Sequence, residues 1–442
     1  MALSQIVYSY IPYARLCNVL SRPQNDSRNS HTQTRGIAAE ELRRHNLATV
    51  LERLHLAGPA SRSDLVSGTG LNRSTIADLI SELTSLGLVE EGPGTSPTGP
   101  GRPSPVVATR PHGAVALAVE LSVDSIAVAT VGLGGIVHDQ VRVTRARAGF
   151  SPQETVREVA RLAEPLLDDL PDDHVLTGVG AGVVGVARRS DGFVHLAPNL
   201  GWRNVPLGAM LATELGVTGR VMVANEADLG ALAEHRRGKG VGVAHLVYLS
   251  SEAGIGAGII QDGKPMLGSS GYAGEVGHTL INPEGHRCRC GAIGCWETEA
   301  GEAALVRRAG IPMTITGLGI LETVKTRAES GDQRTLGALA EIGHWLGLGI
   351  ANLVNIFNPE MVVLGGTYQS LFPYLETEMA AGVSRRALAA PASAVTITIS
   401  GLETGAPLVG AAELVFAELI ANPAARGGRS ARELPVEGTS AN

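Results

Sequence analysis

Apolar positions fall into two regimes along the chain, a helical spacing near the start and short buried runs beyond it. In "AAEELRRHNLATVLERLHLAG", Leu42, Leu47, Val50, Leu51 and Leu54 recur at the helical period, and Gly58-Pro59 ends the run. Ser61 is placed to cap a short second helix, "RSDLVSGT". Gly70 marks a tight turn, and Asn72 can cap a third helix with Ile76, Leu79, Ile80, Leu83 and Leu86 on one face. Gly87 ends that helix, and Leu88-Val89 would begin a strand. Two helices joined by a glycine turn and followed by a strand predict a winged helix-turn-helix over residues 37–110, with "EEGPGTSPTGPGRPSPVVA" as its wing.

From residue 111 the runs alternate between strand and helix. "AVALAVEL" and "SIAVATVGL" predict a hairpin, "SPQETVREVARLAEPLLDDL" a helix and "VLTGVGAGVVGV" a buried strand. "GRVMVANEADLGALAEHRRG" reads as strand into helix. "AHLVYLSSEAGIGAGIIQDG" reads as two strands round a glycine-rich turn, and "GALAEIGHWLGLGIANLVNIFNPEMVVLGG" as a long helix and a strand. The class is α/β over residues 111–422. Residues 1–36 are polar and predict a disordered arm, and 423–442 a disordered tail.

Composition narrows the function classes. Aromatics make up 3% of the chain and glycines number 56, which favours small-residue packing between strands and helices. The net charge of −7 rules out a basic field over the whole molecule, so any DNA contact must be local. Asn72, Arg73, Ser74 and Thr75 at the start of the third helix would face a major groove, and Arg102 in the wing would enter a minor groove. Arg43, Arg44 and Arg62 add positive charge nearby; the plain alternative is a three-helix dimerisation bundle. No apolar run reaches the length of a membrane span and no leader pattern precedes the first helix, so a cytoplasmic protein is expected.

Of 4 cysteines, Cys17 stands alone and Cys288, Cys290 and Cys295 crowd into "GEVGHTLINPEGHRCRCGAIGCWE". Three thiolates and an imidazole form the usual donor set of one closed structural zinc site, with glycines that let the loop turn tightly. Spacing leaves two candidates for the histidine, His278 and His286.

These motifs resemble the ROK family (repressors, open reading frames and sugar kinases), whose signature is G-E-x-G-H followed by C-x-C-G-x-x-G-C-x-E. Here the two parts read "GEVGH" and "CRCGAIGCWE", and "APNLGW", "VANEADLGALAE", "GIGAG" and "NPEMVVLGG" follow the family order. The resemblance implies a two-lobed actin/hexokinase-like (ribonuclease H-like) domain, with lobes of residues 111–225 plus a C-terminal helix and 226–404. It implies His278 as the zinc histidine, with Cys288, Cys290 and Cys295. It further implies Asn199, Asn225, Glu226, Glu275, His278 and Glu297 as ligands of a monosaccharide.

The chain departs from the family's kinases at each phosphotransfer motif. The base motif N-D-A-N reads Asn225-Glu226-Ala227-Asp228, as in xylose-type ROK repressors, so Glu226 is a degenerate base. An added methylene displaces the carboxylate by roughly 1.5 Å, and a misplacement of about 1 Å can cost about 10²-fold in rate. The glycine-rich phosphate turn reads "ELSVDS", and the later turn reads Glu252-Ala253-Gly254. The resemblance thus implies a non-catalytic, sugar-responsive repressor that binds palindromic operator DNA as a homodimer or tetramer. The alternative is an ATP-dependent sugar kinase carrying a DNA-binding domain.

Overall fold

The computed structural model describes residues 30–92, 105–145, 147, 150–219, 221–312, 314–315, 317–402 and 405–425. Arg102 and Cys17, most of the expected arm and the tail from residue 426 lie outside the described residues.

Helices α1 (Ser30–Ala57), α2 (Arg62–Thr69) and α3 (Arg73–Ser85) form where capping chemistry places them. Ser61 Oγ accepts from Asp64 N at 3.2 Å while the Asp64 carboxylate accepts from Ser61 N at 3.0 Å, a reciprocal box that starts α2. Gly70 ends it at φ +72°, and Asn72 Oδ1 accepts from Thr75 N at 2.9 Å to start α3. Helix α1 begins at Ser30, seven residues before the bound expected from sequence. Leu42, expected on the apolar face, is exposed, as are its neighbours from residue 40 to 45. The other expected core residues, Leu47 through Leu83, are buried together. The wing strands Val89–Gly92 and Val106–Thr109 pair antiparallel, and Ala60–Ser61 pairs on the far side of the second.

Beyond the wing, a five-stranded sheet runs in the order Val221–Asn225, Leu176–Val183, Val115–Leu121, Ser125–Gly132, Ile136–Thr144. Side chains alternate across it. Leu117, Val119 and Leu121 meet α4 (Pro152–Asp168) and α5 (Leu207–Glu214) on one face. Ala116, Ala118, Ala127 and Ala129 face the other way, where helix Ala406–Ala421 lies; a side chain at Gly180 would overlap the carbonyl of Ala411. The winged-helix core continues into this second face as one apolar cluster. A small sheet of Val186–Arg188, Phe193–Ala197 and Trp202–Val205 borders the domain.

A second five-stranded sheet has the order Lys264–Pro265, Ile255–Gln261, Leu246–Ser251, Met361–Gly366, Thr396–Ile399. Helix α6 (Glu226–Arg237) lies between the two halves of the domain. Gly410 of helix Ala406–Ala421 packs on the Leu229 backbone on one side, and Gly258 packs on the Ala227 carbonyl on the other. A β-carbon at either glycine would collide with backbone, so both contacts depend on glycine.

Candidate functional site

The three cysteines and His278 converge. The ligating atoms of His278, Cys288, Cys290 and Cys295 lie within 4.8 Å of one another. Cys290 Sγ and Cys295 Sγ are 3.7 Å apart, and Cys288 Sγ is 3.6 Å from His278 Nδ1. Zinc bonds of about 2.3 Å to sulfur and about 2.0 Å to nitrogen at tetrahedral angles place donor pairs about 3.5–3.8 Å apart, a spacing these two pairs match, and the Cys₃His donor set suits the ion. His286 is exposed, and its carbonyl accepts from Gly294 N. Presenting Nδ1 to the cysteines turns His278 Nε2 toward Glu275, whose Oε2 is 3.9 Å away.

The expected sugar residues come from both halves of the domain. Glu297 lies in the first turn of the helix Trp296–Ala300, and its Oε1 accepts from the Cys288 thiol at 3.0 Å. Its other oxygen occupies the space that a side chain at Gly254 would fill; Asn199 Nδ2 borders the same space at 3.9 Å. Asn199 is held from across the cleft, because Arg289, between two of the cysteines, donates to its Oδ1 at 2.5 Å. Asn225 caps α6: its Oδ1 accepts from Ala227 N at 2.8 Å and its Nδ2 donates to the Gly185 carbonyl at 3.0 Å. Its amide therefore has one N–H and one lone pair left for a ligand. Burial and then the Glu297 carboxylate push the Glu275 carboxyl up, with His278 opposing them.

Asp228, read only as the last position of the base motif, was not among the expected ligands. It is 8% exposed, interacts electrostatically with Arg189 and Glu275, and is pushed by burial to a pKa of about 7. Its signal lay in the spacing Asn225…Asp228, which sets both on one face of α6. Arg289 was also missed, although its place between two cysteines fixes it wherever a metal fixes them.

Glu226, at the first position of α6, sits among other carboxyl groups. Loss of solvent and the charges of Glu252 and Glu120 push its carboxyl well above the usual range. Glu252 accepts a hydrogen bond from Ser122, which joins the altered phosphate turn to the altered later turn. Glu120 is held bidentately by Arg142 at 2.9 and 3.0 Å. Asp124, in the same turn, pairs with Arg147, which also grips Glu302 at the start of helix Glu302–Ala309. The corner where the family's glycine N–H groups would cradle phosphates instead holds crowded carboxyl side chains, which offer acceptors rather than backbone donors to an anion.

At the expected DNA face, Asn72, Arg73 and Ser74 are exposed and Thr75 is half-buried. The cap uses part of this set: Ser74 Oγ donates to Asn72 Oδ1 at 2.7 Å, leaving Arg73 with the freest reach. Arg62 is drawn to Glu91 of the wing.

The model of the ROK family matches residues 116–418. A xylose repressor of Caldicellulosiruptor bescii is 32% identical over 377 residues, 82% of this chain and 93% of the relative. The structure of a ROK family transcriptional regulator, a homolog of the E. coli MLC protein, superposes with a TM-score of 0.71 at 26% identity, covering 86% of this chain and 98% of its own. A ROK family glucokinase from Streptomyces griseus, in complex with glucose and AMPPNP, gives a TM-score of 0.58 at 26% identity over 68% of this chain and 98% of its own. Among the described residues no helix is long and apolar enough to cross a membrane.

Proposed function

This chain belongs to the ROK family, and we propose that it is a sugar-responsive transcriptional repressor that does not phosphorylate its sugar. The observation that carries this reading is the contrast between two neighbouring sites. One brings Glu275, His278 and Glu297 together on a metal-ready loop; the other gathers Glu120, Glu226 and Glu252 beside the turns that stand in place of the family's phosphate-binding glycines. Carboxylates accept hydrogen bonds from sugar hydroxyls, and Asn199 and Asn225 supply donors. Zinc, held by His278 and the three cysteines, serves as a structural clamp that fixes the loop; with four protein donors it keeps no open position for water.

The winged helix binds palindromic operator DNA through Arg73 and its neighbours, with Arg102 in the wing, and the chain acts in the cytoplasm as a homodimer or tetramer. A monosaccharide that binds one cleft geometry better than another shifts the population of DNA-competent molecules. A tenfold change in operator affinity needs only about 1.4 kcal/mol of coupling, within reach of one or two hydrogen bonds. The likeness to a glucokinase keeps a second reading in view, an ATP-dependent sugar kinase with a DNA-binding domain. Titration of labelled DNA from upstream of the chain's own gene, with and without D-xylose, D-glucose and N-acetyl-D-glucosamine, tests the proposal. A sugar-dependent change in affinity is expected; DNA binding indifferent to every sugar would overturn it.

A further inference from the structure

Helix α6 ends in a buried polar cluster that joins it to the winged helix. His55, near the end of α1, is 1% exposed and so is Glu413 of helix Ala406–Ala421. His55 Nδ1 accepts from Gly134 N at 2.9 Å, which leaves Nε2 facing Glu413 Oε2 at 2.9 Å, with Arg237 Nη2 also 2.7 Å from that nitrogen. Arg237, the last residue of α6, pairs with the other Glu413 oxygen and donates to the carbonyls of Gly134 at 2.7 Å and His55 at 3.2 Å. Phe416 packs edge-on against the imidazole, and a side chain at Gly135 would displace the guanidinium. Next to it Arg236 pairs with Glu52 of α1 at 3.2 Å.

The opposite end of α6 is the pocket. Asn225 caps the helix, and Glu226 and Asp228 occupy its first turn. The 12-residue helix spans about 18 Å. Its backbone is clasped by Gly410 on one side and Gly258 on the other, so a displacement at its first turn is carried to its last. Apolar contacts tolerate sliding, whereas the bonds at His55, Glu413 and Arg237 are directional and buried, and they survive only in a matching register.

We propose that His55, Glu413 and Arg237 form a latch that couples the state of the sugar pocket to the position of the winged helix, with α6 as the connecting rod. The three are positioning residues: none touches sugar or DNA, and each acts through the helix it holds. The inference rests on the sugar-responsive reading above, and it adds the route by which one site informs the other.

The test separates coupling from binding. Operator titrations and sugar calorimetry are run on the full chain and on Arg237→Met, His55→Leu and His55→Gln, with D-xylose, D-glucose and N-acetyl-D-glucosamine and the chain's own upstream DNA. The wild-type chain is expected to change operator affinity by about tenfold or more with the sugar that binds, and Arg237→Met and His55→Leu by less than about twofold. Sugar affinity in those variants stays within about twofold of wild type, and His55→Gln, whose amide can take over the Nε2 contacts, recovers the response. If Arg237→Met does not fold, His55→Leu against His55→Gln decides alone. A wild-type response in both disrupting variants overturns the latch, as does a loss of sugar binding in step with the loss of response. A wild-type chain that binds DNA but answers to no sugar overturns the functional reading instead.

Discussion

Replacing Glu252 by Gln should stabilise the protein, and only above mildly acidic pH. Burial and the neighbouring Glu120 carboxylate, against the opposing Ser122 hydrogen bond and Arg142, raise the Glu252 carboxyl from 4.5 to about 7. Between those values the native state holds a proton that the unfolded chain has released, so stability falls as pH rises through the window. At about 1.4 kcal/mol per pH unit the cost above pH 7 is on the order of 3 kcal/mol. With an unfolding entropy of about 2 cal/mol/K per residue, a chain of this size should gain about 3 °C in Tm on losing the charge. The Gln side chain can still accept from Ser122. Thermal unfolding of wild type and Glu252→Gln at pH 5 and pH 8 reads the effect, with near-coincident midpoints expected at pH 5 and the variant higher at pH 8. A variant no more stable than wild type at pH 8 would refute the claim that carboxylates crowd this corner.

Three further substitutions probe the remaining parts. Cys290→Ser should abolish stoichiometric zinc, measured by metal analysis, and weaken sugar binding about tenfold or more through the loosened loop; full sugar affinity without metal would contradict the clamp. Glu275→Gln should cost about 1–3 kcal/mol of sugar affinity by calorimetry while leaving sugar-free DNA binding intact. Arg73→Ala should weaken operator binding by about 1–3 kcal/mol, and an unchanged titration would remove it from the DNA face.

What the sequence revealed was local. The caps at Ser61 and Asn72 and the turn at Gly70 act within a few residues, so α2 and α3 were legible to the residue. The cysteine cluster was equally plain, because its three sulfurs fall within eight residues of chain. Its histidine was not legible from spacing, which allowed His278 and His286 alike; the family resemblance pointed to His278, and the fold brings its Nδ1 to the sulfurs. Strand Ile136–Thr144 went unread because it lies at a sheet edge, where most of its side chains are exposed and only Val141 and Val143 pack against the core. Contacts remote in sequence were beyond reach. Ser122 and Glu252 are 130 positions apart, and His55 and Glu413 are 358 apart. Neither pair carries a local sign of the other.

On the proposed reading, the pocket accepts a sugar while its phosphate corner refuses a nucleotide. Calorimetric titration of one zinc-loaded preparation, first with the sugar panel and then with magnesium ATP in the presence of the sugar that binds, addresses both halves at once. A saturable sugar isotherm and no binding heat from the nucleotide are expected. A saturable ATP isotherm, with ADP released as sugar is consumed, would contradict that reading.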